Sequence, residues 1–417
     1  MNKYLRILLV IIVSLSGMQA KAGHLAAADI YYEYVSPLTY KVHLVLYQDC
    51  GPASSFALWN PENVTISSAT CGQSFNLVVD TTGNGGKDTL SSLCENVSNW
   101  CKDPNSIYPA YERWHYSGIV ALPMACTDWV FEYNTCCRNN AINNLVTPSA
   151  QGLCVRAGLN NVARPINSSA QLTVAPIPYV CVNQLNMYLN GPFDIDVDSL
   201  VFTSIIPKDD FNCAPLTYSG TNSLINPMPV TPVGAAGFVT DPASGTVVYT
   251  PTQQGVYVLA FQAEDYDYAT GVRVGYTQRD VQLNVLNCNS APPAITQVGV
   301  SAIQNLCPSA LLLSTSPTVI TVCPGAQVCF DIEGTSQSIS NLVTSTANNV
   351  VTCPGSTYTS TPIGGGNPVS GHFSWVPTGS DIGDHILIVT FTDSTCAVGQ
   401  PLVLKTYEVI QIKVLQG

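Results

Sequence analysis

Apolar and polar residues alternate along much of the chain with a period near two, the spacing of a strand with one buried face, and no long stretch keeps a helical period. Tyr40 to Tyr47 reads YKVHLVLY, the run from Ile30 to Val35 precedes it, and Ser36-Pro37 separates the two, which predicts a β-hairpin. Trp129-Val130-Phe131-Glu132-Tyr133 predicts another strand, entering the adjacent pair Cys136-Cys137. The 30 glycines and 28 prolines fall between such bursts, where they interrupt helices and suit turns, so the predicted class is all-β.

Two long segments read as copies of one plan. Cys181 lies 19 residues before Leu200, and Cys323 lies 19 before Leu342. VYTPTQQGVYVLAFQAED (Val248 to Asp265) parallels FSWVPTGSDIGDHILIVTFTDS (Phe373 to Ser394), with Gly255 to Asp265 and Gly383 to Asp393 each ten apart. Closing strands are predicted at Val281 to Val285 and at Ile410 to Val414. This predicts two immunoglobulin-like or cadherin-like β-sandwiches, over residues 173–290 and 291–417, behind a Cys-rich N-terminal β domain at 23–172.

Residues 1–22 carry Lys3 and Arg6, an apolar run from Ile7 to Leu15, and Ala20-Lys21-Ala22, the pattern of a secretory signal peptide. Beyond it no stretch is apolar for long enough to span a bilayer. The formal charge of -12 disfavours nucleic acid as a partner, and only 10% of residues are charged against 46% hydrophobic, which does not fit disorder. All 16 cysteines follow the predicted cleavage site and none forms a CxxC pair, so bridges in an oxidising compartment are expected. Cys288 with Cys307 is the expected link across the junction at Pro292-Pro293, and Cys136 and Cys137 are each expected to tie their strand to a different neighbour.

Candidate chemistry is sparse. Asp194, Asp196 and Asp198 occupy every second position and face one way on an extended chain; with Glu264, Asp265 and Asp267 they make a candidate Ca2+ site, since Ca2+ takes six to eight oxygen ligands. The aligned positions of the third segment are Ser336, Ser338 and Ser340, so the site is expected in the second segment alone. Trp100, Tyr108, Tyr111, Trp114 and Tyr116 crowd a Pro-containing stretch and are candidate glycan-stacking rings, with packing under a disulfide loop as the alternative. Gly83 to Lys87 departs from a P-loop at Asp88 and reads as a turn, and the five histidines are scattered without an HExxH. No catalytic residues are expected.

HLAAADIYYEYVSPLTYKVHLVLYQDC (His24 to Cys50), YSGIVALPMACTDWVFEYNTCCRNNAINN (Tyr116 to Asn144), PYVCVNQ (Pro178 to Gln184) and DVDSLVF (Asp196 to Phe202) carry a family resemblance. With them the chain resembles the N-terminal region of large Bacteroidetes surface proteins, which continue into further immunoglobulin-like or cadherin-like repeats and a gliding-motility-associated domain for type IX secretion. The resemblance implies a secreted or cell-surface location and a non-enzymatic adhesion or structural spacer role. No such domain follows Gly417, and the expectation is the N-terminal part of a longer protein. The ligand would be a surface glycan or protein, and Ca2+ the only cofactor. The alternative function is a carbohydrate-binding accessory region of a secreted hydrolase.

Overall fold

A computed structural model describes residues 25–51, 58–83, 86–91, 93–94, 97–108, 110–176, 179–231, 237–288, 291–336, 341–363, 366–393 and 403–416. The predicted signal peptide, Ser338, Ser340 and Cys396 lie outside them. The described chain is almost entirely β, as its alternation predicts. Strands β1 (Leu25–Ser36), β2 (Thr39–Asp49), β3 (Glu62–Ser68), β4 (Gln73–Val79), β5 (Lys87–Leu90), β6 (Tyr111–Ala121), β7 (Trp129–Thr135) and β8 (Leu153–Leu159) form the N-terminal part. The middle part contains β9 (Gln171–Leu172), β10 (Tyr179–Cys181), β11 (Asn186–Tyr188), β12 (Pro192–Phe193), β13 (Ser199–Ile205), β14 (Val239–Thr240), β15 (Val247–Tyr249), β16 (Gly255–Tyr266) and β17 (Arg273–Leu286). The last part holds β18 (Ala294–Ile295), β19 (Leu311–Thr315), β20 (Thr318–Val322), β21 (Val328–Thr335), β22 (Val343–Ala347), β23 (Thr357–Pro362), β24 (Val369–Trp375), β25 (Gly383–Asp393) and β26 (Leu404–Val414).

The internal repeat is visible in the pairing. β16 lies antiparallel between β13 and β17, and β10 runs parallel to the end of β17; in the last part β25 lies between β22 and β26, and β20 runs parallel to β26. A second sheet in each copy, β11-β15-β14 and β18-β21-β24-β23, accompanies the first. Phe330, Phe373, Trp375, Leu387, Phe391 and Ile410 fill the last core. Gly255 and Gly383, which open the long strands at φ 154° and 140°, occupy backbone that favours glycine.

The boundary expected at 172/173 does not separate two sheets. One edge of β17 pairs with β16, while the other is taken in turn by β8 at Gly275–Thr277, β1 at Gln278–Val281 and β10 at Asn284–Leu286. From β17 the ladder continues as β1-β2-β6-β5 and as β8-β7-β3-β4, and Ala28, Ile30, Tyr32, Leu44, Val64, Phe131 and Val155 from both layers share one core. The opposite face of β1 and β2 presents Ala27, Val45 and Tyr47 to a core with Phe238, Tyr249, Phe261 and Leu283 of the middle part. A twelve-stranded sheet therefore runs through the first two segments.

Two buried ion pairs stand where the segments meet. Arg279 of β17 makes a bidentate pair with Asp29 of β1, at 2.6 and 2.7 Å, and its remaining donors reach the carbonyls of Leu172 and Val174. The next residue, Asp280, receives both Nη groups of Arg138 at 2.8 Å, while Arg138 also donates to the carbonyls of Gly152 and Lys208. Asn143 and Asn144 accept from the amides of Val256 and Val258, so the string from Cys136 to Asn144 is a clamp laid along β16 and β17.

The described bridges are Cys50–Cys101, Cys71–Cys126, Cys136–Cys137, Cys154–Cys213, Cys181–Cys288 and Cys307–Cys329. The expected Cys288–Cys307 link is not formed. β10 runs beside the end of β17 and brings Cys181 to Cys288, and the amide of Cys307 binds the carbonyl of Cys329, which seats those two together. Cys136 and Cys137 bridge each other instead of two neighbours, and Cys154 on the adjacent strand β8 pairs with Cys213. Cys323 (exposed) and Cys353 (buried) are free thiols, contrary to the expectation of bridges throughout.

Removing one partner of a buried ion pair strands the other charge, at a cost of about 3–5 kcal/mol, whereas replacing both with apolar groups is often neutral. Arg138→Met should lose about that much stability in urea denaturation, and Arg138→Met with Asp280→Leu should regain most of it; a single variant within about 0.5 kcal/mol of the native chain would contradict this role.

Candidate acidic site

The carboxylates predicted by alternation do converge, but through a turn. Between β12 and β13 the chain bends so that Oδ1 of Asp194 accepts the amides of Asp196 at 2.8 Å and Asp198 at 3.1 Å, and Val197 takes a positive φ of 58°. This draws carboxylate oxygens of Asp194, Asp196 and Asp198 within 4.8 Å of one another. Asp265, near the end of β16, is fully buried behind them and accepts only long contacts from the amide of Ala170, at 3.4 Å. Asp196 accepts the amide of Ser168.

Of the other predicted ligands, Asp265 is buried beside the three but outside the group whose oxygens come within 4.8 Å of one another, and two stand elsewhere. Strand alternation turns Glu264 away from Asp265, and it pairs with Arg273 at 2.6 Å. Asp267 caps a turn at Thr270 and reaches the cluster only through Arg164, at 3.4 Å. Arg164, which sequence reasoning missed, is the cation that touches the group, through Asp198. It lies in an irregular loop of the N-terminal part, far from the acidic motif in sequence, and no local pattern marks it.

One arginine does not balance the cluster. Oδ2 of Asp194 and Oδ2 of Asp198 are buried with no hydrogen-bond partner, and Asp198 as a whole is 2% exposed. Burial, then the Asp198 charge, pushes the Asp194 carboxyl up to about 8. Burial raises Asp198 to about 6 against the pull of Arg164, and burial followed by the Asp194 charge raises Asp265 well above the ordinary carboxylate range. In the last sandwich the matching Asp393 has neutral donors instead: the Ser336 hydroxyl and, at 2.7 Å, the Asn341 amide.

The candidate glycan rings do not form a platform. Tyr111 is buried in the middle core with its hydroxyl bonded by Asn284, and Tyr116 is buried in the N-terminal core. Three residues from Tyr111 on β6, Trp114 packs on the N-terminal core beneath Lys87. Trp100, beside the Cys50–Cys101 bridge, donates to the carbonyl of Ser106, and Tyr108 packs with Leu93 and Tyr179. Packing claims these rings because each sits beside a bridge or on a strand with a buried face.

Strand pairing assembles a polar group that looks scattered in sequence. His43 of β2 and His115 of β6 approach to 2.9 Å, Glu33 of β1 lies 3.3 Å from His43, and Tyr31 stacks on His43. Burial, then the neighbouring His43, lowers His115 to about 4. Only the register of three adjacent strands reveals this cluster. Scans against protein-family models and curated proteins return no match to the chain.

Without a bound cation, a carboxyl raised in the folded state favours folding while protonated. Its contribution is complete below the ordinary value near 3.9 and is lost as pH rises through about 6 for Asp198 and about 8 for Asp194. In EGTA the melting temperature should therefore fall from pH 5 to pH 9, and Asp194→Asn should flatten the fall. An unchanged or rising profile in the native chain would contradict the burial described.

Proposed function

We propose that this chain is a non-enzymatic extracellular structural segment, an adhesion or spacer portion of a larger surface protein, in which Ca2+ completes the pocket of Asp194, Asp196, Asp198 and Asp265. The observation that carries the calcium reading is the contrast within the repeat. Asp393 is satisfied by Ser336 and Asn341, whereas Asp265 at the matching position faces three carboxylates, two of them with buried, unpartnered oxygens. A hard divalent cation answers both the like charge and the orphaned oxygens.

The spacer role is supported by construction. Long β-ladders, bridges tying each segment, and a shared sheet between the first two segments favour a stiff body over hinged beads. No helix among the described residues is long and apolar enough to cross a membrane. Leu189 and Met187 of the middle part pack with Ile386, Ile388 and Tyr407 of the last, and Val197 of the acidic loop sits so close to Gly383 that a Cβ there would lie 2.4 Å from it. The acidic loop thus also braces the joint to the last sandwich. Its resemblance to Bacteroidetes surface proteins supports the same reading.

Ca2+ at 100 times its dissociation constant should stabilise the full-length chain by about 2.7 kcal/mol, or roughly 2–4 °C in melting temperature. The shift is expected at pH 8 with the bridges intact and absent in Asp198→Asn; an equal melting temperature in EGTA and millimolar Ca2+ would remove the site from the account.

A further inference from the structure

A polar cleft lies over the face of β1, β2 and β6 opposite the N-terminal core. Its floor follows from register: Asp29 and Tyr31 stand across from Val45 and His43, and Val45 and Tyr47 across from His115 and Arg113. β5 and β9 form its walls, through Lys87 and Asp88 on one side and Gln171 to Thr173 on the other. The cleft has a volume of about 410 Å³, inside the range of roughly 300–1,000 Å³ typical of small-molecule sites.

Its charges are internally matched. Asp29 is held by Arg279, Arg113 makes a bidentate pair with Asp88, and Lys87 pairs with Glu112 at 2.8 Å. His115, lowered to about 4, is neutral at physiological pH. Among the described residues lining the cleft, an ionic ligand would find no unpaired counter-charge. What remains for a ligand is neutral and works in both directions. The Tyr31 hydroxyl has only a long 3.5 Å contact to His115; the Gln171 amide donates to Glu33 and keeps its carbonyl oxygen, and the Thr173 hydroxyl donates to Gly191 and keeps its lone pairs. The Tyr31 ring, backed by His43 at 4.6 Å, supplies apolar surface among them.

Mixed hydroxyl and amide groups around an aromatic ring match one ligand chemistry well: vicinal hydroxyls that donate and accept, carried on a ring with an apolar C–H face. We infer that this cleft binds a neutral saccharide unit. The inference places glycan recognition on Tyr31, Gln171 and Thr173 instead of the buried rings near Trp114, and it stands independently of the calcium pocket.

The test uses the full-length, disulfide-intact chain against glucan, mannan, xylan and chitin oligomers, with uronic and sulfated oligomers as the ionic arm, by saturation-transfer NMR and calorimetry. At least one neutral oligomer should bind. Tyr31→Phe, which keeps the ring and its stack, should weaken binding about five-fold, and Thr173→Trp, which narrows the cleft from its exposed wall, should weaken it at least ten-fold. Both variants should keep the native strand signal in circular dichroism. Failure of every neutral oligomer, binding confined to the ionic arm, or affinity unchanged in folded Thr173→Trp would each overturn the inference.

Discussion

Arg279 and Asp280 are adjacent on one strand, point to opposite faces of its sheet, and are each locked by an opposite charge brought from the N-terminal part. Buried charges are tolerated only when paired and fully hydrogen-bonded, and here both conditions are met by Asp29, Arg138 and a set of backbone carbonyls. Such pairs add little net stability over an apolar replacement, but any other register would strand a charge in the interior. The consequence is positional: β1 must meet β17 at Asp29, and the clamp at Arg138 must lie over Asp280. The alignment of the N-terminal layers, the middle core and the loop carrying Arg164 and Ser168 all follow from that register.

The acidic pocket shows the same rule left incomplete. Its carboxylates are held by the turn at Asp194, the end of β16 and the Arg164 loop, elements drawn from both segments that β17 joins. Where the last sandwich satisfies its single buried Asp393 with hydroxyl and amide donors, the middle sandwich gathers carboxylates and supplies one guanidinium. The repeat thus contains its own comparison between a polar core whose carboxylate is satisfied by neutral donors and one whose carboxylates are not.

Much of the fold is legible in the chain because period-two alternation is a local property. The β1–β2 hairpin, β7, and the equivalent strands β16 and β25, and β17 and β26, of the two repeats all stand where alternation, Pro-Thr turns and Gly255 and Gly383 put them. What alternation does not encode is which edge a strand joins. Nothing near Asp29 announces Arg279, 250 residues away, so two segments that look separable share a sheet. The same limit explains the misplaced Cys288–Cys307 bridge and the unseen meeting of His43 with His115, since both depend on strand neighbours. Of the acidic residues, Asp194, Asp196 and Asp198 were readable from their spacing, whereas the strand's own alternation separates Glu264 from Asp265.

The central claim is that residues 25–288 behave as one cooperative body built on β17. Hydrogen exchange followed by mass spectrometry on the native, disulfide-intact chain tests it most directly. Peptides from β1, β2 and β8 should open with the same free energy and denaturant dependence as those from β16 and β17. If the N-terminal strands exchange through an opening that leaves β16 and β17 fully protected, the shared sheet is not what holds the two segments together.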